Sequence, residues 1–228
     1  MKIFIVTAFP QIMEAYLTES MIKKARDLNL VEFEIWDIRD FAFDKYRQID
    51  DSPFGGGAGM VMKPEPFFLA HDKVREILGK EKPKVIFPSP QGRALDHKMS
   101  LNLALEEYLT FFCGHYKGVD ERVIQELVTD EVSLGDFVLT GGELPTLAII
   151  DALIRHIPGV LGDYDSAETD SFADGLLEGP LYTKPREYRE LKVPEILLSG
   201  HHAKIAEWRQ QQRINRTKDR RIDLLNKK

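Results

Sequence analysis

The stretch Gly135-Asp136-Phe137-Val138-Leu139-Thr140-Gly141-Gly142-Glu143-Leu144-Pro145 contains the signals of a strand, a bare turn and a helix start in immediate succession. Phe137, Val138 and Leu139 favour extended backbone and predict a short strand. Gly141 and Gly142 remove the side chains that would hold a ligand away from the main chain. Pro145 suits the first turn of a helix, where its missing N–H costs nothing. Beyond it Leu147, Ile149, Ile150, Leu153, Ile154 and Ile157 crowd one broad face, as a buried helix requires. Such a unit makes a pocket for a planar or anionic ligand. Gly-Gly between a strand and a helix is more often a tight connection than a binding loop, so on this stretch alone the reading without a ligand comes first. No Gly-x-Gly-x-x-Gly follows a strand and no Gly-Lys-Ser/Thr occurs, which excludes the two commonest phosphate grips.

Outward from this stretch, strand-like and helix-like segments alternate. Strands are predicted at Lys2–Thr7, Val31–Ile38, Lys84–Pro88, Leu109–Gly114 and Phe137–Leu139. Helices are predicted at about Ile12–Leu28, Pro64–Leu78, Lys98–Glu107, Asp120–Leu127 and Leu144–His156. The alternation predicts an α/β fold, a mainly parallel sheet with helices on both faces. Ligands of such sheets bind beyond the carboxyl ends of the strands. Pro88–Gly92, Gly114–Gly118 and the Gly141-Gly142 turn are therefore expected to converge on one edge. A further loop, Asp50 to Met60, packs Gly55, Gly56, Gly57 and Gly59 into five positions. It is either a mobile surface loop or backbone that must approach a flat ligand closely. From Gly159 to Gly179 acidic residues sit among Gly, Ser and Ala with little apolar periodicity, which reads as a linker or a loop that orders on binding. Ala203–Gln212 and Lys218–Asn226 are expected as helices of a small C-terminal unit.

Net charge is −6, but unevenly spread. Residues 201–228 hold nine Lys and Arg against three Asp and Glu, a local charge of +6, while the other 200 residues carry 22 basic and 34 acidic groups. A basic terminal segment on an acidic body suits a localised phosphate-binding face, or a salt-bridged terminal helix. The single cysteine, Cys113, excludes an intramolecular disulfide and reads as a buried small residue. No apolar run approaches the roughly 20 residues of a membrane span. The opening run Met1–Val6 reads as a strand rather than a signal peptide, and a cytoplasmic protein is expected. Adjacent His201 and His202 point apart on a helix and have no third partner at ligand spacing, so no metal site is assigned.

Taken together and in order, these segments resemble the bacterial tRNA (guanine-N1)-methyltransferase family, knotted enzymes of the SPOUT class. The resemblance is carried by Asp50–Met62, Ser89-Pro90-Gln91-Gly92-Arg93, Cys113-Gly114-His115-Tyr116-Lys117-Gly118 and Gly135–Pro145. It continues through Ile157–Gly162, Ser166–Phe172, Ser199-Gly200-His201-His202, Glu207-Trp208-Arg209 and Arg220-Arg221. It implies a knotted α/β cofactor-binding domain over 1–160 with a deep C-terminal trefoil knot. A flexible interdomain linker over 161–176 would carry the catalytic aspartate, and a small helical tRNA-binding domain would span 177–228. It implies S-adenosylmethionine as cofactor, a homodimer sharing its active site between subunits, and tRNA with guanine at position 37 as substrate.

By the same resemblance Asp170 is the general base and Arg155 stabilises charge on O6 of the guanine. Phe87, Pro88, Ser89, Pro90, Gly114, Tyr116, Leu134, Gly135, Asp136, Phe137, Val138, Leu139, Gly141, Gly142 and Pro145 would line the cofactor pocket. Asp50, Gly55, Gly56, Gly59, Lys117, His201, Arg209, Arg213, Arg220 and Arg221 would meet RNA, with Arg216 a further phosphate contact. One departure stands out. Many members carry Glu where this chain has Lys117 and Arg where it has His115, and Mg2+ dependence is associated with that acid. A protonated lysine cannot ligate a cation, so the Mg2+ requirement is left open. The competing functions are a related knotted methyltransferase acting on another RNA or base atom, and an RNA-binding protein that has lost its chemistry.

Overall fold

The computed structural model divides into two compact units, Met1–Gly162 and Asp163–Lys228; it describes residues 1–161 and 170–226. The acidic positions Asp163, Asp165 and Glu168, and the Ser166–Thr169 part of the family motif, lie outside the described residues. Among the described residues no helix is long and apolar enough to cross a membrane.

The first unit is built on five parallel strands in the order β2-β1-β6-β5-β7. They are β1 (Lys2–Thr7), β2 (Glu32–Asp37), β5 (Lys84–Ala94), β6 (Tyr108–Phe112) and β7 (Asp130–Ser133). Alternate side chains leave opposite faces of a strand, and both faces here are apolar. Ile3, Ile5, Phe111 and Cys113 enter one buried cluster, while Val6, Val85, Phe87 and Phe112 enter another. Helices α1 (Pro10–Leu17), α2 (Ser20–Asp27), α4 (His97–Ala104) and α6 (Glu143–Ile154) contribute to the first cluster, and α3 (Pro64–Leu78) and α5 (Glu121–Leu127) to the second. The expected α/β architecture, with helices covering both faces of a parallel sheet, is thus present. A separate two-stranded ribbon pairs β3 (Asp50–Asp51) with β4 (Val61–Met62).

Three element assignments are corrected. Phe137–Leu139 is not a strand: the strand ends at Ser133, and the three apolar residues lie in the loop after it. Ile12–Leu28 is two helices rather than one. The Thr18 hydroxyl donates back to the Glu14 carbonyl at 2.8 Å, and Ser20 takes φ 52, turning the chain between them. In the second unit, Ala203–Gln212 and Lys218–Asn226 merge. One long helix runs His202–Arg220, followed by the short Ile222–Leu225. The polar gap between the expected helices is occupied on one side by the fully buried Thr217, so tertiary contact rather than propensity carries the helix through it. A small hairpin, Glu187–Tyr188 with Leu191–Lys192, and the short helix Glu195–Leu198 had no expectation attached.

Candidate active site

The carboxyl ends of β5, β6 and β7 open onto a cavity of about 280 Å3 in the first unit. Three loops close around it. The first is a bulge in β5: Pro88 and Arg93 both pair with Val132, so Ser89–Gly92 are thrown out of register. A Cβ on Gly92 would fall 2.4 Å from the Glu131 carbonyl carbon, which makes glycine obligatory there. The second loop is Gly114–Gly118 after β6, and the third runs from Leu134 to the start of α6.

The second and third loops are joined beneath the cavity. Gly142 donates its N–H to the Gly114 carbonyl at 2.8 Å, and a Cβ on Gly142 would stand 2.8 Å from Cys113 Cα. His115 and Gly141 form an isolated bridge, and a Cβ on Gly141 would lie 2.2 Å from the His115 ring. Under this contact Glu143, in the first turn of α6 and only 3 % exposed, sits 2.6 Å from His115 Nε2. Its other oxygen accepts from the Thr7 hydroxyl at 2.5 Å. A buried carboxylate needs partners for its charge, and the helix N-terminus supplies further positive potential. The Phe9 ring covers the imidazole at a centroid distance of 4.9 Å. Nearby Cys113 is fully buried, 3.3 Å from Thr146 Oγ1, and burial pushes its thiol far above the ordinary range, as suits an inert packing residue.

Most of the expected cofactor residues meet in this cavity. Phe87, Pro88, Ser89, Pro90, Gly114, Tyr116, Leu134, Phe137, Val138, Leu139, Gly141, Gly142 and Pro145 all line it. Gly135 and Asp136 do not. Gly135, at φ 144, shapes the turn instead, its N–H bonded to the Ser133 hydroxyl and its carbonyl accepting from Phe137 N–H. Sequence reasoning missed the walls given by Glu121 and Ile124 of α5 and by Glu131 and Val132 of β7. The Asp-Glu-Val-Ser run just before Gly135 was the available signal, since it is a short strand feeding the loop.

The glycine loop is tied to the same cavity. Lys117 donates its N–H to the Met60 carbonyl at 3.0 Å, and Met62 donates to Gly118 at 2.9 Å. A Cβ on Gly59 would sit 2.7 Å from the Lys117 side chain. Gly55, Gly56 and Gly57 have positive φ and open space around them, and Asp50 pairs with Met62 in the ribbon. Arg155 caps the exposed end of α6.

Asp170 belongs to the second unit, half-buried at the start of a turned segment. In that unit His201 precedes the long helix and is exposed, as are Arg209, Arg220 and Arg221. Arg221 is paired with Asp223 at 2.7 Å, and Arg213 is drawn into a pair with Asp174.

Comparison with known proteins bears on this arrangement. The family model described as tRNA (Guanine-1)-methyltransferase TrmD matches residues 1–227. A tRNA (guanine-N(1)-)-methyltransferase of Clostridioides difficile (strain 630) is 48% identical over 227 residues, covering 100% of this chain and 98% of that protein. Those of Brevibacillus brevis and Desulforamulus reducens are each 51% identical, covering 100% and 99% of this chain and 92% and 89% of theirs.

Proposed function

This chain belongs to the tRNA (guanine-1)-methyltransferase TrmD family, and from that membership we propose that it methylates N1 of guanine 37, beside the anticodon of tRNA. S-adenosylmethionine would supply the methyl group, already activated on a sulfonium. The observation that carries the reading is the cavity itself. Three loops meet at the carboxyl ends of β5, β6 and β7, packed so closely that a Cβ on Gly92 or Gly142 would strike neighbouring backbone, which fixes the shape of the cavity. Its mixed polar and apolar walls, formed largely by loop backbone, suit an adenosine held without a phosphate grip. Phe87–Pro90, Gly114, Tyr116, Leu134 and Phe137–Leu139 would hold it.

Guanine N1 carries a proton and is a poor nucleophile until that proton leaves. Asp170 accepts it as general base, and the Arg155 guanidinium stabilises the charge that moves onto O6. Lys117, on the cavity wall and against Gly59, adds fixed positive charge where the glycine loop would meet RNA. Asp50 with Gly55, Gly56 and Gly59 would read the flipped guanine, and His201, Arg209, Arg220 and Arg221 would face the phosphates. The reading includes a deep trefoil knot, on the ground of the family membership. It also includes a cytoplasmic homodimer in which Asp170 serves the cavity of the other subunit.

The test is methyl transfer from labelled S-adenosylmethionine to tRNA transcripts bearing guanine or adenine at position 37. Transfer to the guanine transcript alone is expected, and cofactor binding without transfer to either would refute the reading. A chelator in parallel reads whether Lys117 accompanies loss of a divalent-cation requirement. Asp170→Asn should slow single-turnover transfer by about 10²–10⁴-fold with cofactor affinity unchanged. Equal rates for mutant and wild type would remove Asp170 from the mechanism.

A further inference from the structure

The segment that begins at Asp170 is a folded turn clamped to the long helix of its own unit. Ala173 N–H donates to the Asp170 carbonyl at 3.2 Å, and Phe172 N–H to Leu176 at 2.7 Å. Ser171 Oγ accepts from Glu178 N–H at 3.0 Å. Three side chains of the helix then hold this turn. Thr217, fully buried, accepts from Leu177 N–H at 2.8 Å. Arg216 donates to the Glu178 carbonyl at 3.1 Å. Arg213 meets both oxygens of Asp174 through its two terminal nitrogens, at 2.8 and 2.5 Å.

The Arg213 side chain is only 12 % exposed, and its Nε is buried without a hydrogen-bond partner among the described residues. A guanidinium so placed has spent its fork on a carboxylate and has no face left for a phosphate. Arg209 and Arg220, by contrast, are exposed and form no ion pair among the described residues.

We propose that Arg213 is a positioning residue: its two-pronged pair with Asp174 locks the Asp170–Glu178 turn to the helix and so fixes the carboxylate that Asp170 brings to guanine N1. The proposal rests on Asp170 being the general base, and it removes Arg213 from the phosphate-contact set. The helix thus has two jobs, with Arg213, Arg216 and Thr217 holding the turn and Arg209 and Arg220 left for RNA.

Arg213→Lys separates these roles, because lysine keeps the charge a phosphate needs but loses the planar fork. In the full-length protein, hydrogen exchange of the amides of Phe172, Ala173, Leu177 and Glu178 should speed up by about tenfold. Single-turnover transfer at saturating tRNA and cofactor should fall roughly tenfold or more, since small misplacement of a reacting group is costly. The tRNA Kd and its salt slope should stay as in wild type. Arg209→Ala should do the reverse, weakening tRNA and flattening the salt slope while the turn keeps its protection. An Asp174→Arg, Arg213→Asp double mutant should recover part of the protection. The proposal is overturned by Arg213→Lys that exchanges and transfers as wild type, or by Arg213→Ala that weakens tRNA in the manner of Arg209→Ala. Loss of protection with no loss of rate also overturns the positioning role. Asp170→Asn, run alongside, reports separately whether Asp170 is the base at all.

Discussion

The cavity of the first unit and the clamped turn of the second are irregular in opposite ways. At the cavity, apolar side chains stand in the open: Val138 is 81 % exposed and Phe137 54 %. At the turn, a charged side chain is folded away, with Arg213 only 12 % exposed. Apolar surface is normally hidden and arginine normally solvated, so an exposed apolar cluster and a buried charge are the two observations that carry most information. The first fits the cofactor site proposed for this cavity. The second marks a group whose task lies inside the protein. Both depart from what residue type alone suggests.

The comparison would sharpen if the cavity, too, depended on a hidden charge. Glu143 is the candidate, since it bridges His115 on one cavity loop and Thr7 at the end of β1. Glu143→Ala would strand both partners in a buried site. Leaving two buried polar groups without their partner costs about 2–6 kcal/mol, at about 1–3 for each, which for a unit of this size lowers the melting temperature by roughly 4–24 °C. Thermal unfolding with and without S-adenosylmethionine checks this, and the cofactor should restore little of the loss. A shift of a degree or two would mean that the pair is replaceable and that only the turn relies on a buried charge.

Val138 offers the next test. Its side chain meets solvent in the free protein, so Val138→Ser should leave unfolding within about 0.5 kcal/mol of wild type. If the cofactor covers it, the lost apolar contact is worth about 1–1.5 kcal/mol, close to a tenfold weaker Kd by calorimetry. Destabilisation without loss of affinity would make Val138 a packing residue and break the comparison at its first term.

These two residues also measure how far the sequence could be read. The parallel sheet was legible because β1, β6 and β5 alternate into two apolar layers and so must be covered on both sides. The cavity loops were legible because Pro88–Gly92 and Gly114–Gly118 follow segments that read as strands and Gly141-Gly142 precedes a helix; that the glycines at 92 and 142 are required by neighbouring backbone was not. Phe137–Leu139 misled for a physical reason: residues that would line a ligand are apolar for the same cause as residues that line a core. Periodicity cannot tell the two apart over three positions. Glu143 stood in the deciding stretch with no role attached, because its partners Thr7 and His115 come from distant strand ends. Arg213 was read among the phosphate contacts, and the proposal moves it out of that set for the converse reason. Nothing within the helix distinguishes it from Arg209, and the pairing with Asp174 spans 39 residues.

Acidification probes the turn most gently. The Arg213 guanidinium holds the Asp174 carboxyl below its ordinary value of 3.8, aided by the Leu176 N–H that it accepts. A carboxylate whose folded value is depressed contributes stability in full above the ordinary value and loses it as pH falls through the depressed one. The pair is therefore intact throughout neutral conditions and adds no limb to the pH profile of methyl transfer. Because Asp174 is 46 % exposed, solvent screening keeps the contribution to about 1 kcal/mol or less. Exchange protection at Leu177 and Glu178, corrected for intrinsic rates, should stay flat from about pH 8 to 5 and decline only below the ordinary carboxylate range. In Asp174→Asn the protection should be lower at neutral pH and lack that acidic decline. A decline centred near pH 6 would instead implicate a histidine, and the buried charge that sets the turn apart from the cavity would no longer be the Arg213–Asp174 pair.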